Sequence, residues 1–207
     1  MNWKKLQNGS DIRGVALEGV EGEHVNLTPE VTEIIAKSFV KWLSSTTGSD
    51  DLTVAIGTDC RLSGEGIKEA FVKGAMQAGA NVVDCGLAST PAMFMSTVSA
   101  PTMASAAVMV TASHLPFNRN GLKFFTPKGG LDSKDIAAIL DIAEKGDYAS
   151  AKAEGCSSTF DFMTVYSHHL ARYIRGGVGS DDYLHPLSGM HIIVDAGNGN
   201  GGFFEKV

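Results

Sequence analysis

The stretch Thr111-Ala112-Ser113-His114-Leu115-Pro116 follows an apolar run, residues 104–110, and precedes a second motif, Asn120-Gly121-Leu122-Lys123. It places a hydroxyl nucleophile beside an imidazole at the end of a candidate buried strand, with a lysine within reach of the same loop. This combination indicates a serine that carries a group, with neighbouring side chains that move a proton and balance negative charge. The alternative is a turn serine beside a solvated histidine, because adjacent residues on a strand point to opposite faces.

Three further polar loops follow apolar runs or precede helices, and they favour the functional interpretation. They are residues 10–14 (Ser-Asp-Ile-Arg-Gly), 57–64 (Gly-Thr-Asp-Cys-Arg-Leu-Ser-Gly) and 86–91 (Gly-Leu-Ala-Ser-Thr-Pro). In an open α/β sheet, loops at the carboxyl ends of parallel strands converge on one crevice. We therefore expect a set of side chains to meet there: Arg13, Arg61, Ser113, His114 and Lys123.

Helical and extended patterns alternate along the chain. Thr28-Pro29 predicts a helix start with a capping hydroxyl and a first-turn proline, and Ser63 and Ser133 are predicted caps of later helices. Apolar runs predict strands over residues 53–56, 81–84, 105–110 and 122–126. This order predicts a three-layer α/β/α domain with a mostly parallel mixed sheet. The Gly- and Asp-rich residues 176–182 form the predicted boundary, after which the chain starts anew.

Composition and charge narrow the class of protein. The chain has 207 residues and a net charge of −6, which argues against broad nucleic-acid binding. Its apolar stretches are short and interrupted, so we expect no membrane span. The cysteines show no metal-ligand spacing and indicate a reducing compartment: Cys60, Cys85 and Cys156. We expect a cytoplasmic protein, with an organelle as the alternative if a transit peptide lies outside the sequence.

The ordered motifs make the sequence similar to the α-D-phosphohexomutases, the family of phosphoglucomutase, phosphomannomutase and phosphoglucosamine mutase. The match runs from Asp-Ile-Arg-Gly at residues 11–14, through residues 57–64 and Ser-Thr-Pro at 89–91, to Thr-Ala-Ser-His at 111–114 and the downstream Asn-Gly-Leu-Lys. The resemblance implies an enzyme, an intramolecular phosphotransferase that interconverts hexose 1-phosphate and hexose 6-phosphate. The reaction would use a phosphoserine and a bisphosphorylated sugar intermediate.

The resemblance also implies a role for each candidate residue. Ser113 would carry the phosphoryl group, which also binds Mg²⁺. Lys123 and His114 would transfer protons and stabilise charge. Arg13, in the catalytic set, and Arg61 would support the phosphoryl group together with Lys123. The chemistry agrees, because a phosphoserine carries roughly −1.5 to −2 charges at neutral pH and cations favour phosphoryl transfer.

One departure from the family lies inside the serine motif. Many members have Asn where this chain has Leu115, so a hydrogen-bonding side chain is replaced by a hydrophobic one. Either a subgroup packs this loop differently or the loop is poorly suited to catalysis. Retention of Ser113, His114 and Lys123 favours the subgroup interpretation.

A second departure is length, because family members have four domains and more than twice this size. The resemblance implies that residues 1–180 are the first domain and that residues 181–207 are a linker and the start of a similar second domain, with a strand over residues 190–194. An Asp-rich metal loop and two sugar-phosphate loops would lie outside this sequence. We therefore expect a magnesium cofactor with most ligands elsewhere, a hexose bisphosphate activator, and a chain that is catalytically incomplete alone, whether as a clipped or a natural short form. The expected substrate is a hexose phosphate, glucose or mannose phosphate by preference.

Other functions remain open at this stage. A truncated mutase could act as a noncatalytic phosphosugar-binding or partner-binding module. Gly197, Gly199 and Gly202 fit the G-x-G-x-x-G fingerprint of a nucleotide-binding protein, which requires a preceding strand and a following helix. A Ser-His hydrolase is disfavoured, because Ser113 lacks the G-x-S-x-G elbow.

Overall fold

A computed structural model of the chain describes residues 1–148, 151 and 153–207. Helices and strands alternate along it, as the sequence predicts. In chain order the elements are a 3-10 helix, Trp3–Leu6, then β1 Gln7–Asn8, β2 Asp11–Val15, α1 Pro29–Thr47, β3 Thr53–Thr58, α2 Gly64–Gln77, β4 Asn81–Leu87, α3 Thr90–Met95, β5 Ala106–Val110, β6 Arg119–Thr126, β7 Gly129–Gly130, α4 Ser133–Lys145, β8 Ser157–Thr159, α5 Phe162–Val178 and a second 3-10 helix, Asn200–Glu205.

The strands form one eight-stranded sheet in the order β1-β2-β6-β5-β3-β4-β8, with β7 paired to β6. β3 is parallel to both β4 and β5, and β8 is parallel to β4. β6 is antiparallel to both of its long neighbours, β2 and β5. As a result β2, β3, β4 and β5 run in one direction, and their carboxyl ends share one edge of the sheet. The predicted α/β class with a mostly parallel mixed sheet is confirmed.

Helices cover both faces of the sheet. On one face α1, α2 and α4 enclose a core in which the ring of Phe39 lies 4.6 Å from that of Phe124 and 6.1 Å from that of Phe71. On the other face α3 and α5 pack through Met93 and Phe162. The helices and the sheet thus make the three predicted layers. Within the described residues, no helix combines the length and apolar character that a bilayer crossing needs.

The predicted start of α1 is confirmed. The Thr28 side chain accepts a hydrogen bond from the backbone N–H of Val31 at 3.3 Å, and Pro29 is the first helical residue. The helix ends at Gly48, whose φ of +71° lies in the left-handed region that glycine adopts without a steric cost.

One predicted helix cap lacks its hydrogen bond, and another is wrong. Ser63 holds the N-cap position of α2 as predicted, but its hydroxyl makes no capping hydrogen bond, because it is buried and accepts from Nδ2 of Asn120 at 2.9 Å. Ser133 is the first residue of α4 rather than its cap, and Asp132 takes that position. The Asp132 carboxylate accepts hydrogen bonds from the backbone N–H groups of Lys134 and Asp135. A charged carboxylate accepts such bonds more strongly than a serine hydroxyl does.

The C-terminal part departs from the prediction. α5 continues to Val178, past the start of the predicted boundary at residues 176–182. Residues 190–194 do not form the predicted strand, and no strand in the described part of the chain pairs with them. The second 3-10 helix instead packs on α5, where the ring of Phe203 lies 5.9 Å from that of Tyr166. The division into residues 1–180 and 181–207 stays a prediction.

Candidate functional site

Ser113 lies in the connection between β5 and β6, residues 111–118, called here the Ser113 loop. The loop leaves the sheet at the edge where the parallel strands end. Ser113 is exposed, and its φ of +55° is uncommon for a residue with a side chain. Its backbone N–H donates to Oγ1 of Thr111 at 3.0 Å, and that hydroxyl donates to Asp59 at 2.6 Å. The Ser113 hydroxyl oxygen lies 3.3 Å from Nδ1 of His114.

The Arg61 side chain holds the Ser113 loop in this conformation. Its guanidinium donates to backbone carbonyl oxygens of Ser113 (2.6 Å), Leu115 (2.8 Å), Pro116 (2.9 Å) and Arg119 (3.1 Å). Its Nε faces the Asp59 carboxylate at 3.4 Å. Carbonyl oxygens that converge on one cation are stabilised in an arrangement that they would otherwise disfavour.

This geometry corrects the expected orientation of Arg61. A guanidinium has two N–H groups on each Nη atom, and those of Arg61 are directed at carbonyl oxygens of the loop. The side chain therefore reaches the predicted place but faces backbone rather than an open crevice. A direct contact between Arg61 and a phosphoryl group remains a prediction that this arrangement does not favour.

Arg13 and Lys123 meet at a shared carboxylate beside the same loop. Oδ2 of Asp11 accepts from Nη2 of Arg13 at 2.8 Å, and Oδ1 accepts from Nζ of Lys123 at 2.8 Å. Nη1 of Arg13 also donates to the carbonyl oxygen of Ala112, the residue before Ser113, at 3.2 Å. The expected pair of cations is therefore present and is connected to the Ser113 loop by a hydrogen bond.

Strand pairing explains how these side chains meet. In the antiparallel pair of β2 and β6, Asp11 lies opposite Lys123 and Arg13 lies opposite Gly121. Residues directly opposite, and residues two apart on a strand, point to the same face. A Cβ atom on Gly121 would lie 2.8 Å from Cγ of Arg13, so glycine leaves the space in which the Arg13 side chain crosses β6.

Arg13 and Lys123 have N–H groups that are not used in the hydrogen bonds described above, whereas the Nη N–H groups of Arg61 all donate to backbone carbonyl oxygens. The Lys123 ammonium has three N–H groups, and one is used on Asp11. Arg13 uses one N–H on each Nη atom, which leaves a second on each. The Lys123 and Arg13 side chains are 31% and 19% exposed, so both keep part of their surface in contact with solvent.

A second segment is attached to the far side of the loop. Glu23, in the connection between β2 and α1, accepts from Nδ2 of Asn118 at 2.7 Å and from Nη2 of Arg119 at 2.6 Å. The hydrogen bond from Arg119, followed by that from Asn118, lowers the pKa of Glu23. The backbone N–H groups of Ala16 and Leu17 donate to the carbonyl oxygen of Asn118. The Ser113 loop is therefore fixed from two sides.

The structure brings the predicted residues to one edge of the sheet, but sequence reasoning missed their partners. The sequence patterns assign no role to Asp11, although it stands two residues before Arg13 and so shares its strand face. They assign none to Asp59 or Thr111 either. Both lie at the carboxyl ends of buried strands, which is a usable signal for polar residues that organise a site.

The residues present do not fit a magnesium site by themselves. Within residues 1–148, 151 and 153–207, no group of three or more His, Cys, Asp or Glu side chains is placed to hold a metal ion. The carboxylates around the Ser113 loop already have partners: Asp11 binds two cations, Asp59 accepts from Thr111 and from the backbone N–H of Arg61, and Glu23 accepts from Asn118 and Arg119. A hard cation needs clustered oxygen ligands that are free to bind it.

The contacts of Arg61 predict the behaviour of Arg61→Lys. A lysine ammonium has three donors and no fork, so it cannot hold the same set of carbonyl oxygens. We expect amide hydrogen exchange at residues 113–119 to accelerate at least about tenfold, which corresponds to about 1.4 kcal/mol of lost loop stability. Arg172→Lys on the exposed face of α5 is the matched control. Unchanged exchange in the loop of Arg61→Lys would show that Arg61 does not hold it.

Comparison with known proteins shows which family the chain resembles. The family model described as "Phosphoglucomutase/phosphomannomutase, alpha/beta/alpha domain I" matches residues 4–150. A phosphoglucomutase of Neisseria meningitidis is 31% identical over 195 residues, which are 94% of this chain and 37% of that protein. A phosphoglucosamine mutase of Streptococcus sanguinis is 34% identical over 187 residues, 88% of this chain and 39% of that protein.

The fold is also found in a solved structure. A phosphoglucomutase/phosphomannomutase family protein of Burkholderia thailandensis superposes with a TM-score of 0.66 at 24% identity, over 79% of this chain and 34% of that one. This chain thus spans between a third and two fifths of the length of the relatives it matches. Its own domain-I match, which contains the Ser113 loop and both cations beside it, shows that the chain belongs to the phosphoglucomutase/phosphomannomutase family.

Proposed function

We propose that this chain carries the phosphoserine of a phosphohexomutase, which interconverts hexose 1-phosphate and hexose 6-phosphate through a bisphosphorylated sugar. One observation carries the proposal: an exposed serine hydroxyl stands in a fixed loop to which cationic N–H donors are tied, since Arg13 donates to the carbonyl oxygen of Ala112 and shares the Asp11 carboxylate with Lys123. A phosphoserine dianion is tolerated only where such donors face it. Arg13 and Lys123 supply them.

The proposed reaction has two halves. In the first, the P–O bond to Ser113 breaks and a P–O bond forms to the free hydroxyl of the hexose monophosphate, whose proton passes to a base. In the second, the other phosphate of the resulting bisphosphate returns to the serine oxygen. In the first half a phosphoryl group passes from serine to sugar while a proton passes from the sugar hydroxyl to the serine oxygen, and in the second half both move the opposite way, so the enzyme ends as it began. Catalysis of this kind depends on positioning and on cations around the moving oxygens.

His114 and Lys123 are the proposed proton-transfer groups. Nδ1 of His114, 3.3 Å from the Ser113 hydroxyl oxygen, is placed to give a proton to that oxygen as the phosphoryl group leaves and to accept it on return. Lys123 is proposed to exchange a proton with the sugar hydroxyl and to balance phosphoryl charge. Arg13 binds phosphoryl oxygens, and Arg61 maintains the loop. Magnesium, if it takes part, would receive its carboxylate ligands from outside the described residues.

The alternative functions have less support. Gly197, Gly199 and Gly202 follow a segment without strand structure and lead into a 3-10 helix, which is not the strand and α-helix that a nucleotide fingerprint requires. Within the described part of the chain, no carboxylate hydrogen-bonds to His114, as a serine hydrolase would need. A noncatalytic phosphosugar-binding module would use the same two cations, Arg13 and Lys123, so only a measurement of turnover distinguishes it from an enzyme.

The sugar is proposed only as a hexose phosphate. The relatives are named phosphoglucomutase, phosphomannomutase and phosphoglucosamine mutase, so the family serves several hexoses. Glucose and mannose phosphates are the first substrates to test, with a hexose bisphosphate as activator and magnesium in the buffer. The protein is proposed to work in the cytoplasm, where these metabolites occur in solution.

Turnover by the whole protein and by this chain tests the proposal. The whole protein that carries residues 1–207 should interconvert a hexose 1-phosphate and its 6-phosphate, measured by coupled assay. Residues 1–207 alone should show no measurable turnover, because they span about 37% of the length of a relative named for the activity. An inert whole protein, or clear turnover by residues 1–207 alone, would contradict the proposal as stated.

A further inference from the structure

Asp11 occupies a place that the reaction described above does not use. Its carboxylate lies between the two cations of the site, with one oxygen 2.8 Å from Nζ of Lys123 and the other 2.8 Å from Nη2 of Arg13. Nε of Arg13 is a further 3.3 Å contact of the same oxygen. The Asp11 side chain is 10% exposed, so this carboxylate is largely removed from water.

The arrangement differs from an ordinary surface ion pair. A surface pair joins one cation to one anion, and its members are free to separate into solvent. Here one carboxylate holds two cations that would otherwise repel each other, on side chains that each rotate about several bonds. The register of β2 and β6 fixes Asp11 opposite Lys123, and Arg13 is further held by the carbonyl oxygen of Ala112.

Asp11 binds both cations but uses only some of their N–H groups. It accepts one of the three N–H groups of Lys123. On Arg13, Asp11 accepts one N–H of Nη2 and Ala112 accepts one N–H of Nη1, which leaves one N–H on each of these atoms. The remaining N–H groups belong to side chains that are partly exposed at the edge of the sheet. Asp11 therefore fixes the positions of Lys123 and Arg13, while each of the two side chains keeps N–H groups that do not bond to Asp11.

We infer that Asp11 is a positioning residue, which holds Lys123 and Arg13 in the geometry that phosphoryl transfer at Ser113 requires. The inference rests on the proposed function, and it assigns Asp11 no contact with the substrate. Because the cations remain charged and nearby without it, loss of Asp11 should affect the transfer step more than substrate binding.

Asp11→Asn in the whole protein tests this inference, since asparagine keeps the shape of the side chain and removes its charge. We expect kcat to fall by about 10- to 100-fold, the range for a lost group that orients a catalytic side chain. The KM for hexose phosphate should change by less than about threefold, because uniform binding is retained. Asp141→Asn is the matched control, because it removes the carboxylate of an exposed ion pair with Lys145 on α4.

A coupled variant separates positioning from a general structural role. If Asp11 acts through Lys123, then Asp11→Asn in a Lys123→Met background should lower kcat by less than about threefold further, because partners in one network are non-additive. If Asp11 were a purely structural residue, Asp11→Asn would lower kcat by the same factor in both backgrounds. The midpoint temperature of thermal unfolding of residues 1–207 should change by less than about 5 °C on Asp11→Asn, because Lys123 and Arg13 can still be hydrated at the edge of the sheet.

The outcomes are distinct from those that test the proposed function. An active wild-type protein whose kcat is unchanged by Asp11→Asn would overturn the inference and leave the proposed function intact. The same loss in both backgrounds, or a chain that no longer folds, would assign Asp11 to stability and would also overturn it. An inert wild-type protein would instead remove the proposed function itself.

Discussion

Ser113→Ala is expected to abolish mutase activity in the whole protein, with turnover lower by at least about 10⁴-fold, because the group that accepts and donates the phosphoryl group is lost. The free energy of unfolding should change by less than about 1 kcal/mol, because among the described residues the exposed hydroxyl has one side-chain hydrogen-bond partner, the neighbouring His114. Steady-state turnover and thermal unfolding measure the two effects.

Ser45→Ala is the control for this substitution. Ser45 is an exposed serine on α1 whose hydroxyl donates to the backbone carbonyl oxygen of Lys41 in the same helix at 2.9 Å. It should leave turnover unchanged. Activity of Ser113→Ala within tenfold of the wild type would show that the phosphoryl group does not pass through this serine.

Lys123→Ala is expected to lower kcat by about 10²- to 10⁴-fold, the usual range for a positioned proton-transfer group. Its ammonium is the partly exposed member of the pair, and Asp11 keeps Arg13 as a partner, so removal of Lys123 should cost little stability. Turnover and thermal unfolding of the same preparation separate the two effects.

Lys128→Ala, in the exposed turn after β6, is the matched control for loss of a lysine charge. It should retain wild-type kcat, because it lies at the opposite end of β6 from the Ser113 loop. A Lys123→Ala protein with kcat within threefold of the wild type would exclude Lys123 from the transfer step.

Local patterns predict the fold class and the meeting of side chains. Apolar runs ended by polar loops indicate buried strands, and any parallel sheet gathers the loops at its carboxyl edge. This is why Arg13 and Ser113 were expected together without knowledge of the sheet order. The start of α1 at Thr28-Pro29 was also predictable, since its cap and proline signals are adjacent in sequence.

The ion pairs of the site depend on information that no local pattern contains. Asp11 and Lys123 are 112 positions apart, and they meet only because β2 pairs antiparallel with β6 in one register. A shift of one residue would turn Lys123 to the other face of the sheet. The role of Asp11 therefore became visible only when both strands were in place.

Missing or competing partners explain where the structure departs from the local sequence patterns. A serine before a helix is a common cap, but the buried amide of Asn120 binds the Ser63 hydroxyl first. An arginine in a polar loop is a common anion ligand, but the turned carbonyl groups of the Ser113 loop occupy Arg61. Residues 190–194 are apolar enough for a strand, but a strand needs a partner to receive its backbone hydrogen bonds.

Phosphopeptide mass spectrometry of the whole protein, after incubation with a hexose 1,6-bisphosphate, tests the role of Ser113 most directly. The phosphoryl group should be found on the peptide that contains Ser113, and it should be absent from the same peptide of Ser113→Ala. Phosphate found only on another residue, or a Ser113 peptide that is never phosphorylated in an active protein, would contradict the assignment.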